Sequence, residues 1–144
     1  MTREVNMQGT VRDWMNDLVV MVEPETPVME ALALMRRRYI HSVIVNRTPD
    51  SPEYGIVTSI DICDDIVAKG QDPNILKVKE IMTSPLITVD QHLSMQECAR
   101  IMMQHRIHHL PVVDANGQII GMISSTDFLV VAETMGAKGD QVLN

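Results

Sequence analysis

Adding 67 to a position in the first half of this 144-residue chain lands on the same residue type again and again. Val11, Met15, Val22, Glu30, Met35, Ile40, His41 and Val45 recur as Val78, Met82, Val89, Glu97, Met102, Ile107, His108 and Val112. One extra residue in the first copy's loop changes the offset to 66, and Gly55, Ser59, Asp61 and Gly70 then recur as Gly121, Ser125, Asp127 and Gly136. The chain is therefore a tandem duplication, with modules spanning 8–71 and 74–137. A lone core of ~60 residues is marginal, so the two copies are expected to share one.

Within each module the apolar spacing resolves into short elements. Val28, Ala31, Leu32 and Met35 fall at i, i+3, i+4 and i+7, and Met95, Cys98, Ala99 and Met102 repeat that stripe, as one face of a helix requires. Cys98 stands where Ala31 stands and reads as packing, since a free cysteine behaves as a small hydrophobe. The many methionines read mainly as core filler. Pro27 suits a first helical turn, and Ser94 to Glu97 fits a capping box.

Two apolar runs follow each helix: Ser42–Asn46 with Ile56–Thr58, and Leu110–Val113 with Ile119–Ile123. Asn116-Gly117 marks a hairpin through residues that tolerate positive φ, whereas the first copy loops through Arg47 to Pro52 with two prolines. Asp61–Lys69 and Asp127–Met135 read as helices stopped by Gly70 and Gly136. With Val19–Val22 and Leu86–Val89 as leading strands, each module reads β-α-β-β-α, an α+β fold.

Composition excludes several functions. The net charge is -7, and the chain holds only one Trp, two Tyr and one Phe. An acidic surface with so few stacking platforms argues against nucleic acid. No apolar stretch approaches the ~18 residues of a membrane span, and residues 1–4 lack a signal-peptide pattern, so the expected location is cytoplasmic. Cys63 and Cys98 form neither a zinc pattern nor a disulfide framework. There is no HExxH, no GxSxG and no Walker-type loop, which argues against an enzyme, and no cofactor is required.

The polar residues gather at the ends of the apolar runs. Thr58-Ser59-Ile60-Asp61 and Ser124-Ser125-Thr126-Asp127 fit S/T-x-x-D, which alone reads as a helix cap. The same pattern at a helix N-terminus also suits an anion, with hydroxyls donating to phosphate and a carboxylate accepting from ribose hydroxyls. His41 and His108 occupy matched positions near Arg38 and Arg106, where they could supply positive charge to a phosphate. His109 is a possible site-lining residue, while His92 and His105 read as surface.

The segments "HRIHHLPVVD" with "GMISSTD", and "RYIHSVIVN" with "GIVTSID", resemble the cystathionine-β-synthase-type (CBS) domain family over residues 8 to 137. The resemblance implies two tandem β-α-β-β-α modules packed as a pseudo-twofold pair. It also implies an adenosine-containing ligand, an adenine nucleotide of the AMP, ADP or ATP type, in clefts between the halves. By that likeness Asp127 and Asp61 hold ribose, while Ser124, Ser125, Thr126 and Thr58 contact phosphate. His108, His41, Arg106 and His109 would add positive or polar contacts, and Val20, Ile87 and Pro111 would wall the adenine. The site with Asp127 is expected to be preferred, because Ile60 replaces one hydroxyl in the first copy and Asp64, Asp65, Asp50 and Glu53 crowd it with negative charge. The implied role is a regulatory sensor acting through an unidentified protein partner. Apolar Phe128–Ala132, together with Ile62, Ile66 and Val67, points to a homodimer built from these helices. A ligand-free interaction and dimerisation module is the alternative.

Overall fold

A computed structural model describes residues 9–143, with side chains described through residue 137. The chain divides into two compact units that are composed differently from the sequence repeats. The inner unit is Val19–Leu86; the outer unit joins residues 9–18 to the chain from Ile87 onward.

The inner unit holds β1 (Met21–Val22), α2 (Val28–Arg38), β2 (Ser42–Val45), β3 (Gly55–Thr58) and a short helix α3 (Ser59–Asp61) that widens into a π-helical stretch over Ile62–Val67. A 3₁₀ turn at Val78–Glu80 follows. The outer unit begins with α1 (Val11–Trp14) and continues with β4 (Val89–Asp90), α4 (Met95–His105), β5 (His109–Val113), β6 (Ile119–Ser124) and α5 (Asp127–Leu143). Each unit carries one three-stranded sheet of identical topology. The leading strand runs parallel to the central one, and the third strand is antiparallel to it.

Each unit carries its own apolar cluster. Val28, Ala31, Met35, Val43, Val45 and Val57 centre one, while Met95, Cys98, Met102, Leu110, Val112 and Ile123 centre the other. Each cluster is completed by the segment that precedes the opposite repeat. Val11 and Val78 are both fully buried, Val11 in the outer cluster and Val78 in the inner. The backbone fixes these segments in the same way twice. Val11 N–H donates to Leu93 C=O at 2.8 Å and Val78 N–H to Thr26 C=O at 2.9 Å. Asn16 then exchanges two hydrogen bonds with Met122, and Thr83 exchanges two with Ile56, so a short bridge covers the edge of β6 and of β3.

These bridges explain a repeated glycine. A Cβ on Gly121 would lie 2.3 Å from Met15 Sδ, 2.9 Å from its Cγ and 3.1 Å from the Asn16 carbonyl oxygen. A Cβ on Gly55 would lie 2.4 Å from Met82 Sδ. In each unit the methionine of the incoming segment lies where the glycine's side chain would be.

Several local expectations change. Helix α5 passes through Gly136 to Leu143, so Gly136 is not a stop; its φ is not left-handed, and an isolated glycine costs a helix only about 1 kcal/mol. Gly70 does adopt φ +65° after the π-helical stretch. Pro27 is the N-cap of α2, one residue earlier than a first-turn position. Only half of the Ser94 box forms: Ser94 Oγ accepts from Glu97 N–H at 3.1 Å, while the Glu97 carboxylate turns to Arg100. At the hairpin Gly117 alone has positive φ. Its N–H donates to Asp114 C=O and the Asp114 carboxylate accepts from Asn116 and Gln118, giving a three-residue loop.

Gly121→Ala is expected to lower the unfolding free energy by about 1–3 kcal/mol through overpacking. Adding Met15→Ala vacates the colliding atoms, so the double variant should be less destabilised than the two single losses added together. Denaturant unfolding of the four-member cycle measures this, and strict additivity would disprove the wedge.

Candidate functional site

Antiparallel pairing brings the polar ends of each hairpin together. His109 sits opposite Ser124 in the β5–β6 ladder, and Ser42 opposite Thr58 in β2–β3. One residue beyond, Ser125 N–H donates to His108 C=O at 2.9 Å and Ser59 N–H to His41 C=O at 3.1 Å. The two stretches that looked distant in sequence thus meet at the open end of the hairpin, where the following helix begins.

Both aspartates cap that helix start. Asp127 Oδ2 accepts from Ser124 N–H at 2.7 Å and from the Ser124 hydroxyl at 3.3 Å. Asp61 Oδ2 accepts from Thr58 N–H at 2.8 Å and from its hydroxyl at 3.2 Å. The second oxygen of each carboxylate accepts no hydrogen bond among the described residues and remains available to a hydroxyl donor. Ser124 and Thr126 share a hydroxyl hydrogen bond of 2.9 Å, and Ser125 and Thr126 are exposed beside it.

Arg106, His108, His109, Pro111, Ser124, Ser125, Thr126, Asp127 and Ile87 belong to the outer unit, and Val20, His41, Thr58 and Asp61 to the inner one. His108, Arg106 and Ser125 line a groove of ≈ 430 Å³ with Met103 and Phe128. Its inner counterpart, ≈ 770 Å³, is lined by Met29, Leu32, Arg36, Arg37, Tyr39 and His41 among others. Ile87 is 38% exposed, Val20 is half-buried with its carbonyl accepting from Ile44 N–H, and Pro111 is fully buried in β5.

Arg106 owes its placement to the end of α4. It takes the left-handed conformation, φ 53°, with Ile107 N–H donating to Met102 C=O and Arg106 N–H to Met103 C=O; Tyr39 does the same after α2. This is a Schellman stop at a position where glycine is usual. Tyr39, the repeat equivalent of Arg106, lines the inner groove.

The electrostatics of the two copies differ. Burial lifts the Asp61 carboxyl above the ordinary Asp range, opposed by the Thr58 hydrogen bonds and reinforced by Asp65 and Asp64. In the outer unit, burial first and the Asp127 charge second push the Cys98 thiol up to about 11, so it remains a protonated packing group. Among the described residues no group of His, Cys, Asp and Glu could hold a metal ion, and no helix is long and apolar enough to cross a membrane.

With this geometry established, comparison with known proteins identifies the class. The CBS domain family model matches residues 11–68 and 78–133. The protein is thus a tandem CBS-domain chain and belongs to that family. It is 33% identical over 113 residues to the uncharacterized protein MK0525 of Methanopyrus kandleri, covering 78% of this chain and 57% of that one, so it spans little over half of that relative. The hexameric CBS-CP12 protein from bloom-forming cyanobacteria superposes with a TM-score of 0.79 at 32% identity, over 85% of this chain and 70% of that one. The CBS domain pair of MJ0100, in complex with 5′-methylthioadenosine and S-adenosyl-L-methionine, shares the fold at a TM-score of 0.73 and 23% identity, over 90% of this chain and 98% of that one.

Asp61→Asn should stabilise the protein at neutral pH. The amide oxygen keeps the Thr58 N–H cap but carries no charge. Because folding raises this carboxyl's pKa, the folded state binds its proton more readily than the unfolded one. The wild type therefore carries the penalty in full above the raised pKa and sheds it as pH falls toward the ordinary Asp value of ~3.9. Unfolding of both proteins across this range should show the advantage of Asn shrinking with acidity; a constant difference would contradict it.

Proposed function

We propose that this CBS pair is a regulatory sensor for an adenosine-containing ligand of the adenine-nucleotide type. The observation that carries the reading is the open hairpin end of the outer unit. There the half-used Asp127 carboxylate, the hydroxyls of Ser124, Ser125 and Thr126, and His108 with Arg106 converge at the start of α5. Asp127 would accept from ribose hydroxyls, and Ser125 and Thr126 would donate to phosphate, aided by the helix N-terminus. Ile87 would contribute the exposed apolar contact to adenine. The adenosyl compounds bound to MJ0100 support the ligand class.

The site with Asp127 is proposed as the stronger of the two. Thr58, Asp61, His41 and Val20 repeat the arrangement, but burial, with Asp65 and Asp64 adding to it, already disfavours the Asp61 charge, and the negative charge of those two acids opposes a phosphate. Output passes to a protein partner or through assembly. A homodimer joined through the helices is the expected state, because Leu129 is 71% and Val130 55% exposed on α5. The same two side chains favour the second reading, an interaction module without ligand.

AMP, ADP or ATP at ~100 times its dissociation constant should add about 2.7 kcal/mol to stability. Asp127→Asn is the informative variant, because Asn retains an oxygen for the Ser124 cap, whereas Ala forfeits about 0.5–2 kcal/mol of capping. Calorimetry and thermal melts should show Asp127→Asn losing most of the nucleotide response and Asp61→Asn losing less. A response equal to wild type in Asp127→Asn would leave Asp127 as a cap alone.

Sedimentation velocity should show a dimer at micromolar concentration. A monomer there would remove the homodimer from the reading.

A further inference from the structure

The methionines of the chain stand in unlike environments. Met35, Met95 and Met102 are buried core residues, whereas Met21, Met29 and Met103 lie exposed at the surface, Met103 at 74%. Met15 and Met82 combine the two conditions. Each is partly open to solvent, and each makes the contact that closes its unit. In both, sulfur is the atom nearest the glycine. Met15 Sδ lies 2.3 Å from the place a Cβ would take on Gly121, and Met82 Sδ 2.4 Å from that on Gly55, with the Cγ atoms next at 2.9 and 3.0 Å. Whatever the sulfur carries is therefore set directly against the strand backbone.

That placement makes the thioether the chemically sensitive point of the contact. Oxidation turns a flexible apolar methionine into a polar, chiral sulfoxide. The added oxygen is a hydrogen-bond acceptor that needs water or a donor. Glycine has no side chain to supply one. The nearby backbone donors Met122 N–H and Ile56 N–H are already given to Asn16 C=O at 2.9 Å and Thr83 C=O at 3.0 Å. The oxygen must either turn to solvent, lifting the sulfur from the glycine, or stay against the strand without a donor. Both courses weaken the wedge. The effect reaches the core within one turn of chain, because Met15 N–H donates to Val11 C=O at 2.8 Å and Met82 N–H to Val78 C=O at 2.9 Å. Both valines are fully buried.

We infer that Met15 and Met82 are paired modification sites for a peroxide-class oxidant, and that their sulfoxides unlatch the segments that close the two units. A sulfur lone pair attacks the terminal peroxide oxygen, the O–O bond breaks and the S–O bond forms. Sulfur gives up two electrons, and the peroxide is reduced to water or an alcohol. The proton on the transferred oxygen passes to the departing one. A thiol-dependent methionine sulfoxide reductase restores the thioether. The latch is independent of what the hairpin ends bind.

The test treats the folded full chain with hydrogen peroxide, quenches it, and applies peptide mass mapping, fluorescence and denaturant unfolding. Trp14, the single tryptophan, adjoins Met15 and packs against the outer cluster, so its emission reports the outer latch. Cys63→Ser is the background throughout, because that exposed thiol would otherwise oxidise as well. Sulfoxide at positions 15 and 82 should raise the unfolding equilibrium constant by about tenfold or more, the scale of a disturbed core contact, and shift Trp14 emission to the red. Reductase treatment should reverse both changes. The double variant Met15→Leu, Met82→Leu keeps similar volume without sulfur. Oxidised equally at its other methionines, it should change less than about twofold, within the range of surface changes. Met15→Leu alone should protect the Trp14 emission and Met82→Leu alone should not. If positions 15 and 82 gain no oxygen at doses that convert Met103, they are not modification sites. If they gain it without loss of stability, or the leucine variant loses as much, the latch is disproved. The mapping, unfolding and reductase arms use the native methionines and stand even if the leucine variant folds poorly.

Discussion

The insertion of a methionine against a side-chain-free strand position is the contact on which each unit depends. Met15 lies on Gly121 and Met82 on Gly55, and behind them Val11 and Val78 are fully buried. A module of this size lacks the apolar surface to close its own core, and a segment delivered from the start of the other repeat supplies it. The same segment pairs with the edge of the third strand, which would otherwise present unpaired backbone groups. Since β6 and β3 lead directly into the helix starts, the wedge also holds the polar hairpin ends in register.

Under the proposed reading those ends would combine structural and recognition chemistry in one residue. Asp127 and Asp61 each spend one oxygen on a cap. A carboxylate already fixed by two hydrogen bonds would lose little rotamer freedom on meeting a ligand, which would lower the entropic cost of recognition. Its desolvation has a visible effect at Asp61, where burial and two neighbouring acids disfavour the charge. The outer unit avoids that arrangement because Val130 and Val131 replace Asp64 and Asp65.

Duplication followed by side-chain divergence accounts for most differences between the units. Strand order, the left-handed helix stops at Tyr39 and Arg106, and the aspartate caps after the third strand are the same in both. Helix-face chemistry differs, with Arg36 and Asp64 in one and Met103 and Val130 in the other. Backbone hydrogen bonding tolerates no such change, whereas exposed helix positions answer only to what meets them.

Local pattern sufficed for much of this. The i, i+3, i+4, i+7 stripes identified α2 and α4, the short apolar runs identified the hairpins, and the S/T-x-x-D spacing located both caps, because each depends on residues close in sequence. Gly136 misled because a glycine marks a stop only when the backbone turns left-handed, and nothing around it forces that turn. The long-range facts were not legible. That residues 9–18 complete the unit containing β4 to α5, that each unit builds its own apolar cluster, and that Gly121 and Gly55 accommodate methionines all depend on segments far apart along the chain. The sequence by itself determined the duplicated elements and the polar groups at their ends. Tertiary packing decided which copy of the leading segment closes which core, because that choice is made by shape and volume across the fold, which local periodicity does not encode.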